Sequence, residues 1–146
     1  MKITQTMFVM FIGSFIIQYF LMSPIMVSGN SYITNTLGKV YMSVIMGLFT
    51  LFMEIMMHDH QYNVFSSHLY VGFVALLILF VYLYRKQVAI NDKQYLEGMI
   101  EHHSMSLLTS EEILKKTDSY DIAKVAKNII QTQTDELRAM RKILSK

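Results

Sequence analysis

Apolar residues run almost unbroken through the first half of the chain and turn periodic in the second. The first run, Met7 to Val27, is close to the ~20 residues a helix needs to cross the hydrocarbon of a bilayer. Gln18 and Pro24 lie near its end, where a helix tolerates them. Leu37 to Met57 and Val64 to Tyr84 form two further runs, the last closed by Arg85-Lys86. A signal peptide is the rival reading of the first run, but the stretch is long for one and no A-x-A-like site follows. Between the runs, Ser28 to Thr36 predicts a polar loop. His58 to Asn63 predicts a very short one, so that spans two and three form a tight antiparallel hairpin. Tyr32, Tyr41, Tyr62, Tyr82 and Tyr84 fall near the expected interfaces, where amphipathic rings settle.

Beyond residue 90 the pattern is helical. Asn91 or Asp92 can cap a helix running to about Lys116, with Lys115-Lys116 suiting its C-terminal dipole. Thr117-Asp118-Ser119 is a turn, and Asp118 or Ser119 caps a second helix that runs to about Leu144. The first helix has an apolar seam of Leu96, Ile100, Leu107 and Leu114, and the seam position between Ile100 and Leu107 is His103. The second shows Ile122, Ala126, Ile129, Met140 and Ile143, interrupted by Gln133 and Glu136. Folding the pair about Ser119 brings His102, His103, Gln133 and Glu136 to one level, with Met99 and Met140 in the next layer outward.

Charge sharpens this division. Of the 24 Asp, Glu, Lys and Arg residues, 20 lie in 85–146, leaving only Lys2, Lys39, Glu54 and Asp59 before them. The expected organisation is a three-span membrane anchor over 1–86 and a helical hairpin domain over 87–146, an all-α chain whose last part is half of a four-helix bundle. A lone hairpin of this size buries little and is expected to pair with another copy or pack on its own membrane helices. A net charge of +2 without a basic stripe argues against nucleic acid as a partner. Lys39, Arg85 and Lys86 would share one side of the membrane and Lys2 the other, which by charge alone favours a cytoplasmic domain.

Cysteine is absent, so any metal must be held by His, Met, Asp, Glu or Gln. Imidazole and thioether together suit copper, above all Cu(I), with Ag(I) behaving alike. Glu136 can ligate Cu(II) or accept the second N–H of a ligating histidine; Gln133 can do likewise or hydrogen-bond the ring. The same layer also reads as a polar network that sets helix register without metal, and proton transfer or catalysis stays open as a third use. Glu-x-x-His repeats, H-E-x-x-H, a P-loop and G-x-G-x-x-G are all missing. A second cluster closes span two, with Met53, Met56, Met57, His58 and His60 as candidate ligands of a metal relay or transporter, and Met42 and Met46 on a nearby face. Ten of the 13 methionines lie in residues 1–57, so apolar packing is the plainer reading of that cluster. Glu54, costly near a span end, has His68 as a candidate partner.

The stretch Tyr95-Leu96-Glu97-Gly98-Met99-Ile100-Glu101-His102-His103-Ser104-Met105-Ser106-Leu107-Leu108-Thr109-Ser110 resembles the signature of domain-of-unknown-function family three hundred and five. Ala126, Ile129-Ile130, Gln133, Glu136-Leu137 and Met140 agree with that family's second half in order and spacing. The resemblance implies a ferritin-like helical fold and, since the family includes a copper-binding protein, copper ligands at Met99, His102, His103, Met105 and Met140. More weakly, the anchor resembles a membrane-bound branch with three spans, which implies an extracytoplasmic domain. Two departures stand out. Glu101 occupies a position that is often proline, adding a further candidate ligand, and the loop after span two lacks the usual basic residues. The expectation taken is a membrane-anchored copper-binding or copper-buffering protein, not an enzyme, with its domain extracytoplasmic.

Overall fold

The computed structural model describes residues 3–146 and, among them, only helices and the turns between them; Lys2, used above for orientation, lies outside the described residues. The chain forms α1 (Ile3–Ile16), a π turn (Ile17–Leu21), α2 (Met22–Met26), a short 3-10 turn (Asn30–Tyr32), α3 (Leu37–Tyr62), α4 (Ser67–Arg85), α5 (Asp92–Leu114) and α6 (Tyr120–Leu144). Thr4–Met26, Leu37–Tyr62 and Ser67–Arg85 are each long and apolar enough to cross a membrane, consistent with an integral membrane protein. The π turn stands immediately before Pro24, whose ring nitrogen has no hydrogen to give the carbonyl four residues back.

Two compact units result. The first takes the chain up to Leu21 together with Leu37–Ile90; the second takes Met22–Thr36 with Asn91–Lys146. The polar loop between spans one and two thus folds with the hairpin. Three spans require this segment and the C-terminal residues to emerge on the same side of a bilayer, so their joint folding accords with three crossings.

In the first unit α3 is central, packing on α1 along one side and α4 along another. Small and hydroxylated side chains let α1 and α3 approach: the Thr50 and Ser14 hydroxyls are hydrogen-bonded at 2.8 Å, and a Cβ on Gly47 would come within 2.7 Å of the Phe11 ring. Aromatic contacts join α3 to α4, with Phe52 stacked on Phe73 at 4.8 Å between centroids. Lys39 lies over the Tyr19 ring at 5.2 Å, a cation–π seat for a charge close to a span end.

The short loop expected at His58–Asn63 falls later. α3 continues to Tyr62 and stops at Asn63, whose φ of 50° is the left-handed conformation that ends a helix. Buried Asp59 closes the turn from inside α3, accepting from Ser66 N at 2.6 Å and Ser66 Oγ at 2.8 Å. The carboxylate supplies the cap that the α4 N-terminus lacks from its own N-cap residue, Ser66. Glu54 and His68 form no ion pair among the described residues. In a hairpin turning at 63–66 they lie several residues apart in level, on the order of 10 Å at ~1.5 Å per residue.

The hairpin matches its predicted ends closely. Asn91 caps α5, accepting from Gln94 N at 2.9 Å, and Ser119 caps α6, accepting from Ile122 N at 3.4 Å. The α6 seam differs from the expectation: Ile122 and Ile143 are exposed, and the buried stripe is Ala126 and Leu137, with Ile130, Met140 and Leu144 packed beside the core. These positions follow a heptad that passes through Gln133, so one helix face rotated from the expected one meets Ile100 and Leu107 of α5. Fully buried Ser104, donating to the Glu101 carbonyl at 2.9 Å, occupies the seam with little bulk.

Gly47→Leu should destabilise the first unit by about 1–3 kcal/mol through overpacking against Phe11. Gly72→Leu, into space with nothing within 4 Å, should leave stability unchanged. Thermal unfolding of the detergent-solubilised protein, followed by circular dichroism, reads the difference.

Candidate functional site

Glu101 fixes how α5 is turned. It is buried, yet both oxygens are satisfied by the 22–36 segment: Ser23 Oγ donates to Oε1 at 2.5 Å, and Thr34 N donates to Oε2 at 2.8 Å. The Thr34 hydroxyl also lies 3.1 Å from Oε2 and 3.0 Å from the Glu97 carbonyl, sharing its one proton between them. A buried carboxylate persists because several donors converge on it. The residue entered the sequence reading as an extra metal ligand; the structure commits its oxygens to holding the loop. The sequence signal was available in its substitution for a frequent proline, but its partners lie 67 and 78 residues away and have no local signature.

On α6, Arg141 grips the same loop. Its guanidinium donates to the Ser31 carbonyl at 3.2 Å and lies 4.3 Å from the centre of the Tyr32 ring. Tyr32 in turn packs on the Ile100–Leu107–Leu137 core. One acidic and one basic side chain, from opposite helices, therefore clamp the loop onto a single flank of the hairpin.

Helical spacing then decides the other flank. Successive residues turn by ~100°, so with Glu101 on the loop side, His103 lies roughly opposite it and Met99 stands one turn before His103 on the same face. The His103 side chain is 15% exposed, and its Nδ1 lies 3.0 Å from Glu136 Oε2. The separation is that of a charge-assisted contact, but the N–H direction misses the carboxylate, and the buried Nδ1 has no well-aligned hydrogen bond. Glu136, with its side chain 48% exposed, has room to turn. The Nε2 of His103 bonds no group among the described residues. His102 is exposed, its ring edge-on to His103 with 6.1 Å between centroids.

The remaining candidates divide. Met140 packs against the core on this side. Gln133 is half-buried in the seam and makes no hydrogen bond to either histidine among the described residues, because its place on α6 points between the helices where Glu136 points along the flank. Met105 is turned ~160° from His103 but only ~60° from His102, three residues before it, so it neighbours the exposed histidine of the pair. At span two, Met53, Met56, Met57 and His60 are exposed on the outer face of α3, while His58 faces Asp59 at 3.2 Å and the Tyr62 ring at 4.8 Å. Among the described residues no three His, Asp or Glu side chains gather as a metal cluster.

Three membrane-length helices are followed by a histidine- and methionine-bearing helical hairpin. The chain belongs to the family described as Domain of unknown function (DUF305), whose model matches residues 82–144. It is also 33% identical over 136 residues to an uncharacterized protein of Acanthamoeba polyphaga mimivirus, a match covering 92% of this chain and 88% of that one. A match of that length runs through most of the apolar half as well as the hairpin. No solved structure matches the chain.

Glu101→Ala should remove the acceptor of buried Ser23 and of the Thr34 amide, at a cost of about 1–3 kcal/mol for the buried hydroxyl. Amide hydrogen exchange should accelerate across 22–36 more than in α6. Equal acceleration in both would show that the carboxylate supports the whole hairpin and not the loop alone.

Proposed function

We propose that this protein is a membrane-anchored binder of a soft metal ion, copper above all, and that it buffers or hands on that ion without turning over a substrate. The observation that supports this most is the half-buried imidazole of His103 at a seam position, its Nδ1 buried. Its Nδ1 is beside the Glu136 carboxylate, its Nε2 bonds no described group, and Met99 sits one turn away on the same face. Ligating histidines commonly turn their second ring nitrogen to a carboxylate, which sets ring orientation and tautomer. Met99, His102 and His103 would hold the ion, with Met140 in reach of the same layer and Glu136 orienting His103. Thioether sulfur with imidazole nitrogen favours Cu(I) and Ag(I) over zinc, iron or magnesium. The domain is placed outside the cytoplasm, following the membrane-bound branch that the anchor resembles. The outward methionines of span two are assigned to apolar packing.

A second reading has its own support. The His103–Glu136 contact bridges α5 and α6 by itself, and a polar pair in a helical seam can set register without any ion.

Titration of the purified full-length protein with Ag(I), and with Cu(I) against a competing chelator, separates the two. Under the metal reading His103→Ala and Met99→Ala each weaken binding strongly, and Glu136→Ala weakens it by about 10–100-fold. Loss of stability in His103→Ala, with no bound metal in elemental analysis of the parent protein, would assign the layer to helix register instead.

A further inference from the structure

The flank of the hairpin opposite the clamped loop is uncovered, and its composition sets it apart. It presents Met99, His103 and Ile113 from α5 and Ile122, Val125 and Ile143 from α6. Ile122, Val125 and Ile143 are 48%, 59% and 56% exposed. Near the turn the flank is concave, a groove of about 480 Å³ between Ile113 and the Ile122–Val125–Ile129 edge. Every Lys and Arg of α5 and α6 falls on other sides, Arg141 toward the loop and Lys124, Lys127, Arg138 and Lys142 around the back of α6. The charged groups that remain here are carboxylates, Glu136 at mid-flank and Asp121 at the edge of the groove.

We propose that this flank is the contact surface for a second copy of the chain, the two hairpins closing a four-helix bundle. Several observations single out this occupant. The hairpin alone has a thin core, with Ile100, Leu107 and Leu137 its buried cluster, and a domain of this size is marginal without further burial. Two helices ~35 Å long lying ~10 Å apart present a face comparable to the ~800 Å² per partner of a standard stable interface. The flank is layered: apolar at the turn end, polar at His103 and Glu136, apolar again at Met99 and Ile143. His103 is the midpoint of α5, so a two-fold contact sets apolar ends on apolar ends and polar layer on polar layer. That layer holds an imidazole and a carboxylate in each copy, so doubling it brings opposite partners together. A bilayer surface fits less well, because it would draw the same ionisable pair toward hydrocarbon. In such a dimer each copy contributes His103 and Glu136 to one polar layer. The inference rests on the packing face and holds with or without a bound ion.

The chain has no cysteine, so single thiols report cleanly. Ser106→Cys lies on the flank within a turn of His103, and Lys127→Cys lies on the back of α6. Full-length protein in membranes, kept metal-free with chelator, is treated with a short bismaleimide. Ser106→Cys should yield a covalent dimer and Lys127→Cys should stay monomeric. Adding Val125→Glu to Ser106→Cys should cut the dimer yield about tenfold, the effect of ~1.4 kcal/mol. Val125 is exposed within one chain, so the hairpin's helicity should survive, and Ile122→Gln gives a second, milder variant. Absence of the Ser106→Cys dimer, its persistence in both variants, or crosslinking through Lys127→Cys would each overturn the proposal. Because the experiment is metal-free, its failure leaves the copper reading untouched, and a failed metal titration leaves the dimer untouched.

Discussion

The carboxylate of Glu101 is the constraint from which the arrangement of the hairpin follows. Burying a carboxyl group is costly, and Ser23 and Thr34 offset that cost by donating to both of its oxygens. Once that contact forms, α5 has lost its freedom to rotate. Glu101 faces the loop, His102 faces outward, and His103 faces the side of α5 that meets Glu136. Arg141 locks α6 against the same loop, so both helices are oriented by one segment of chain. The loop covers one flank and thereby leaves the other open.

A second buried carboxylate, Asp59, plays a comparable part in the first unit. Asp59 ties the end of α3 to the start of α4 through Ser66, closing that turn without glycine or proline. In both units an acid inside a helix satisfies backbone or hydroxyl donors of a loop that would otherwise be left over. The difference is reach: Asp59 spans seven residues, whereas Glu101 reaches 67 and 78. The long-range contact, together with that of Arg141 to Ser31, joins the inter-span loop to the C-terminal helices.

Much of the architecture was legible along the chain. Run length and the missing charges marked the spans, since hydrocarbon excludes unpaired charge and backbone alike. Asn91, Ser119 and the Thr117–Ser119 turn marked the hairpin's ends, because capping is local chemistry. The meeting of His103 with Glu136 followed from counting residues on either side of that turn. What misled was the exact face of α6. Ile122 and Ile143 are as apolar as the residues that are buried, and periodicity alone does not say which of two adjacent stripes will meet α5.

The sequence by itself determined an all-helical chain, its three membrane-length segments, the hairpin and the level at which its polar side chains gather. These depend on spacing and on near neighbours. Only the tertiary structure decided that residues 22–36 fold with the hairpin, that Glu101 serves the loop, and which flank stays bare. Each of those is set by contacts between residues far apart in the chain, where small rotations of a helix exchange one set of partners for another.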